Sequence, residues 1–295
     1  MAPARILHRI RLSNIRFSSS VPPPVSLNSQ RGNVFRTVRN VSLVASLGLA
    51  TYTFGAFFPP QSITFIAPRP APAPPSDANS PSSVAFTANL ESQLQSLPLL
   101  TSLRSQPDAD QWYETRPYRT VSEERRANHL TAGTLRGPGK LALMPLVRVR
   151  RDESESVIIL HVGRGVCGHD GIVHGGLLAT LLDEGLGRTA INNLPEKVGV
   201  TAYLSIDYRA PTKADQFIII KTRLTEVKGR KAWVEGRIED TNGNVLAEAK
   251  TMFVQPKYAK LLNTQALRQA MGEPEPWKEP VHIAEGTSGP SSPPA

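Results

Sequence analysis

Hydrophobic and polar positions change period several times along the chain, and each change predicts a different element. From Val41 to Phe58, "VSLVASLGLATYTFGAFF" runs eighteen residues without a charge, near the shortest helix that crosses a bilayer at about 1.5 Å per residue. Pro59-Pro60 end the run, and Tyr52, Phe54, Phe57 and Phe58 gather toward its exit side, where aromatic rings favour the interface. Residues 59–83, with "APRPAPAPPSDANSPSS", have the composition of an extended linker. Leu90, Leu94 and Leu97 then recur at helical spacing and predict a short amphipathic helix over 88–97. Residues 112–140 are polar and punctuated by "RGPGK", so 84–142 reads as a helical and irregular extension.

Strand periods follow. "LVRVRR" and "SVIILHVG" alternate or run apolar over strand-like lengths. Four further strands are predicted in "VGVTAYLSIDYRAP", "QFIIIKTRLTEV", "KAWVEGRIED" and "NVLAEAKTMFVQP", broken by Pro211-Thr212, Lys228-Gly229 and Asn242-Gly243. The last three, so tightly joined, form an antiparallel meander. Between the early strands and these lies one helical stretch, which predicts an α+β plan: one long helix against a curved antiparallel sheet, over 143–256. Residues 257–295 read as a largely disordered tail.

That helix carries the chemistry. In "GHDGIVHGGLLATLLDEGLG", residues 168–187, the helix opens on Gly-Gly and holds an acidic pair among leucines. At 100° per residue, Leu178, Leu181, Leu182 and Gly185 share the side expected to face the sheet. Gly176, Thr180, Asp183 and Gly187 align on the opposite side, a stripe of small residues with one carboxylate against which a substrate can lie. The bare N–H groups at Gly175 and Gly176 and the helix dipole favour a developing negative charge, so this end is a candidate oxyanion site. Asp183 stands roughly 10 Å farther along the axis. Glu184 points elsewhere, and its spacing to Arg188 predicts an i, i+4 surface pair. His174, at the helix start, has an orienting role.

Charge and composition narrow the functions. Residues 1–76 hold eight arginines and no Asp, Glu or Lys; removing these from the formal +9 leaves +1 for residues 77–295. The basic character is thus confined to the amino-terminal region, and a nucleic-acid partner is set aside. "MAPARILHRIRLSNIRFSSS" is rich in Arg and Ser and free of acid, the composition of a mitochondrial transit peptide; residues 1–40 form this basic segment, and 41–58 the membrane span. With the arginines on the matrix side, the positive-inside rule puts the rest in the intermembrane space, anchored to the inner membrane. The single Cys167 excludes a disulfide framework. His161, Cys167, His169, Asp170 and His174 match no zinc spacing, so neither metal nor cofactor is expected. There is no G-x-S-x-G nucleophile elbow.

With these residues in view, the sequence resembles the hotdog-fold thioesterases of the PaaI-like type, a group that includes mitochondrial acyl-CoA thioesterases. The likeness covers roughly 143–256. It rests on His174-Gly175-Gly176, an aliphatic run, Asp183 nine residues after the histidine, and Thr201 ten residues before Pro211. The resemblance implies hydrolysis of an acyl-CoA thioester, with coenzyme A entering only as part of the substrate. The Gly175 N–H would polarise the carbonyl, Asp183 would act as general base or nucleophile, and Thr201 would hold the water or the leaving side. It implies a homodimer or dimer of dimers, with helix start and acid drawn from different subunits. One departure stands out: where the family carries an amide or polar residue five to six positions before the histidine, this chain has Gly168 and His169. His169 is the candidate substitute in substrate binding, with Gly176 and Thr180. The rival readings are a non-catalytic acyl-CoA-binding or scaffold hotdog protein at the membrane, and a hydratase or dehydratase on the same fold.

Overall fold

The computed structural model describes residues 27–58, 77–119 and 121–261. The chain divides into two compact units, Met1–Ala67 and Pro68–Ala295. In the first, α1 (Leu27–Phe57) is one continuous helix of 31 residues, of which Val34–Phe57, 24 residues, is long and apolar enough to cross a membrane. It begins well before the expected start at 41. Residues 27–40, read as the end of a basic targeting segment, are helical too, because no proline separates them from the apolar run. The Thr51 and Thr53 hydroxyls donate to the Leu47 and Leu49 carbonyls at 2.9 Å each, which leaves neither without a partner in an apolar medium. The expected transit sequence over 1–26 and the tail from 262 lie outside the described residues.

The second unit opens with α2 (Pro81–Gln95) and α3 (Pro98–Arg104). Ser80 caps α2 by accepting from the Ser83 N–H, with Pro81 in the first turn, the usual chemistry of a helix start. The end of the expected linker, residues 77–83, therefore belongs to this folded unit. A second correction concerns the extension read as irregular. Its residues Trp112–Thr115 form β1, followed by α4 (Glu123–Ala127) and a π-turn at Leu130–Thr134. Four residues of mixed polarity are too few for a periodic signal; pairing with a neighbour defines the strand.

Beyond it come β2 (Leu146–Arg150), β3 (Glu155–Val162), a short hairpin of β4 (Cys167–His169) and β5 (Ile172–Val173), and the helix α5 (Gly175–Asn193). Strands β6 (Val200–Tyr208), β7 (Gln216–Lys228), β8 (Lys231–Asp240) and β9 (Val245–Val254) complete the fold. Seven strands make one sheet in the order β1-β2-β3-β7-β8-β9-β6, antiparallel at every pairing. The sheet wraps α5 in the hotdog arrangement, an α+β fold as expected.

Two cores sandwich this sheet. On the concave side Leu178, Leu182 and Leu186 of α5 meet Ile158, Ile220, Val234 and Ile238. On the convex side Leu90, Leu94 and Leu100 cover Val157, Ile159, Phe217 and Ile219. Alternate residues of β3 and β7 are thus buried on opposite faces, which is why both strands read as continuous apolar runs. On β8, by contrast, Ala232, Val234 and Ile238 are buried while Lys231 and Arg237 are exposed.

The convex cover is tied down by charge. Glu114 on β1 accepts from Arg104 of α3 and Arg148 of β2, at 2.8 and 2.9 Å. Burial pushes the Glu114 carboxyl up, but bonds to Arg104 and then Arg148 outweigh it and hold the group below its usual 4.5. Glu114→Gln leaves two guanidinium groups beside an uncharged amide, and we expect it to cost about 3 kcal/mol at neutral pH. A depressed carboxyl stabilises the fold fully above its unfolded value and loses that contribution as pH falls through the folded one. Urea midpoints at pH 7 should therefore separate the variant from wild type, and the gap should shrink below the ordinary carboxylate range.

Candidate active site

His174 is the N-cap of α5, with extended backbone at φ −62° and ψ 128°, and its Nδ1 accepts from the Gly176 N–H at 2.9 Å. A ring nitrogen that accepts is unprotonated, so the neutral imidazole carries its proton on Nε2. The His174 carbonyl takes the Leu177 and Leu178 N–H groups at 2.9 and 3.3 Å. Of the first-turn donors, Gly175 N–H alone bonds no other described residue. A helix dipole and one open N–H meet at that point. His174 itself caps the helix.

Tyr208, at the end of β6, donates its hydroxyl to the Gly175 carbonyl at 2.8 Å. A Cβ built on Gly175 would lie 3.6 Å from the Tyr208 ring, so the phenol packs over the helix start and fixes it from outside. The sequence held no sign of this contact, because Tyr208 is thirty-three positions away and follows no motif.

Two turns along α5, the half-buried Asp183 accepts a hydrogen bond from the Thr201 hydroxyl at 2.9 Å. Thr201 comes from β6, which among the described residues pairs only with β9. The acid and the threonine, singled out on separate elements, are in direct contact. Thr180, between them and the helix start, donates to the Gly176 carbonyl at 2.9 Å, so its proton is spent within the helix. Gly176 is exposed; its N–H is taken by His174. His169 is exposed on the β4–β5 hairpin and makes no side-chain hydrogen bond among the described residues.

Two expectations about the helix faces need correction. Gly187 is not on the open stripe: a Cβ there would come within 2.6 Å of Phe253 Cζ, so it packs against β9. Glu184 does not pair with Arg188. Its two carboxylate oxygens accept from the Thr131 hydroxyl at 2.7 and 2.9 Å, and burial, more than the neighbouring Asp183 charge, raises its pKa. Arg188 instead turns inward to Glu153 in the β2–β3 turn, at 3.6 Å, and to the Tyr113 hydroxyl, at 3.3 Å. The extension decides both, since it brings Thr131 and Tyr113 onto α5.

Gly168 bears on the departure in the motif. A Cβ there would sit 3.0 Å from His174 Cδ2 and 3.3 Å from its Cα. The imidazole thus occupies the space beside this position, and an amide side chain would have to displace it.

Comparison with known proteins places the central helix and most of the strands after it in a known family. A family model described as thioesterase superfamily matches residues 170–247, a range holding the helix start, Asp183 and Thr201. An uncharacterized Schizosaccharomyces pombe protein is 31% identical over 175 residues, 58% of this chain and 95% of its own length. An uncharacterized mitochondrial protein of Candida albicans is 33% identical over 144 residues, 47% of this chain and 65% of that protein. The mouse acyl-coenzyme A thioesterase THEM4 is 32% identical over 104 residues, 35% of this chain and 44% of the enzyme. From its helix, its strands and its relatives, the chain belongs to the thioesterase superfamily.

Proposed function

We propose that this protein hydrolyses acyl-CoA thioesters. The observation that carries the reading is the Thr201–Asp183 hydrogen bond of 2.9 Å on the same helix whose Gly175 N–H is left open. Thr201 occupies Oδ1 of the carboxylate, which leaves Oδ2 to take a proton from water. The resulting hydroxide adds to the thioester carbon, the carbonyl oxygen becomes an oxyanion on the Gly175 N–H, and collapse expels the coenzyme A thiolate. In the alternative order the carboxylate attacks first and water then hydrolyses the anhydride. Neither route calls for a metal or a further cofactor. Gly176, Thr180 and His169 border the open side of the helix, where the acyl-CoA lies.

Helix start and acid are roughly 10 Å apart along one helix, too far to act on a single carbonyl. A homodimer removes the difficulty by pairing the helix start of one subunit with the acid of the other. Strand β6 supports this arrangement: it is an edge of the sheet with Val200, Tyr203 and Tyr208 exposed by 54, 56 and 53%, an edge that invites pairing. The mitochondrial name of the Candida relative and the apolar length of α1 support a mitochondrial membrane protein; the arginines ahead of the span and the positive-inside rule favour the inner membrane, with the second unit in the intermembrane space.

A second reading, a non-catalytic acyl-CoA-binding platform, draws on Gly168, which supplies no amide beside the helix start. Two variants distinguish the readings. Asp183→Asn should lose at least about a hundredfold in thiol release, equivalent to about 2.7 kcal/mol of barrier. Gly175→Pro removes the open N–H at the helical position where proline is best tolerated, its Cβ in ordinary contact with the Tyr208 ring at 3.6 Å, and should lose about a hundredfold while remaining folded. If wild type binds acyl-CoAs of every chain length and releases no thiol, the platform reading holds.

A further inference from the structure

Strand β6 meets both ends of the candidate site with one face. Its ladder with β9 runs Val200↔Val254 and Thr201↔Phe253, then slips by one residue and resumes at Tyr203↔Met252. From there Leu204 pairs with Thr251, Ile206 with Ala249 and Tyr208 with Ala247. Directly opposed residues share a face of the sheet, and Phe253, Ala249 and Ala247 belong to the concave core. Thr201, Leu204, Ile206 and Tyr208 therefore all turn toward α5. The bulge at Ala202 decides this for the threonine. In an unbroken register Ala202 would oppose Phe253, and Thr201 would turn to the outer face. Leu204 and Ile206 pack on the core in the middle of this row; Thr201 reaches Asp183 at one end and Tyr208 reaches the helix start at the other.

At that start the Tyr208 hydroxyl donates to the Gly175 carbonyl at 2.8 Å, and the Gly176 N–H donates to His174 Nδ1 at 2.9 Å. This carbonyl and this N–H are the two ends of one peptide group. Tyr208 and His174 thus hold the Gly175–Gly176 peptide from both ends, and two bonds in series through one amide strengthen each other. Gly175 lies inside this clamp. It is the residue type with the most backbone freedom, in the first turn, where the helix itself offers its N–H no acceptor. With the peptide after it and the histidine before it both fixed, the open N–H keeps one direction. A donor already aimed at the oxyanion costs no reorganisation when the charge develops.

We propose that Tyr208 is a positioning residue: through the Gly175 carbonyl, and in series His174, it aims the open Gly175 N–H at the thioester oxygen. The proposal rests on the thioesterase reading and on the homodimer above, whose strand edge would cover the phenol, 53% exposed in the single chain. Strand β6 then holds the donor of one site and the acid of the other.

The test uses the full-length protein in lipid nanodiscs, with two readouts: thiol release from acyl-CoA, and backbone amide exchange over 174–178. Tyr208→Phe keeps the ring and removes the donor. It should lower kcat about tenfold at unchanged KM and speed exchange of the Gly176 amide at least tenfold. Added to Gly175→Pro it should cost nothing further, because the N–H that it aims is gone. Added to Thr201→Val it should cost the full tenfold, because the acid is a separate contact. A tenfold loss that persists in the Gly175→Pro background, a raised KM at unchanged kcat, wild-type kcat in Tyr208→Phe, or unchanged Gly176 exchange would each overturn the proposal while an active wild type keeps the thioesterase reading. A wild type that releases no thiol overturns that reading, and the aim at an oxyanion with it.

Discussion

Everything in the second unit depends on how closely α5 lies against its sheet. Gly185 and Gly187 leave room for Ile158 and Phe253, whose side chains would come within 2.9 and 2.6 Å of a Cβ at these positions. Leu186 between them, with Leu178 and Leu182 before them, fills the concave core. With the helix axis fixed this tightly, both ends of the site are fixed as well. The first turn is held beneath Tyr208, and Asp183 meets Thr201 on the edge strand. At Gly187 a methyl group would press on the Phe253 ring, whereas at Gly185 the end of the Ile158 side chain can turn aside.

The extension acts as a second constraint from the other side. Its helices bury Leu90, Leu94 and Leu100 on the convex face, and its later turns reach over the sheet edge to α5. There Thr131 takes Glu184, and Tyr113 shares Glu153 with Arg188. The two neighbouring acids of α5 consequently have different tasks. Asp183 faces the open side with a hydroxyl donor, whereas the half-buried Glu184 turns to Thr131, its pKa raised by desolvation.

Much of this was legible from the chain. The sheet-facing leucines, the meander and the HGG-to-Asp183 spacing are local patterns, set by periods of 3.6 and 2 and by turn chemistry. Thr201 came only from the resemblance, by its spacing of ten from Pro211, which lies beyond the end of β6. What escaped depends on contacts between distant segments. Strand β1 exists because β2 pairs with it, residue by residue from Trp112–Arg150 to Thr115–Val147. The burial of Gly187 depends on Phe253, and the partner of Glu184 lies fifty-three residues upstream. A helical wheel treats one face as open and the other as covered, and cannot register that a third layer meets the helix from the side.

The central claim is that one site is assembled from the helix start of one subunit and the acid of another. Co-expressing the Asp183→Asn and Gly175→Pro chains under separate tags and purifying the mixed dimer tests it most directly. In that dimer one of the two sites keeps both an open N–H and a carboxylate, so thiol release should return to about half of the wild-type rate per dimer. A mixed dimer as inactive as either variant alone, with wild-type dimers active under the same tags, would contradict the shared site.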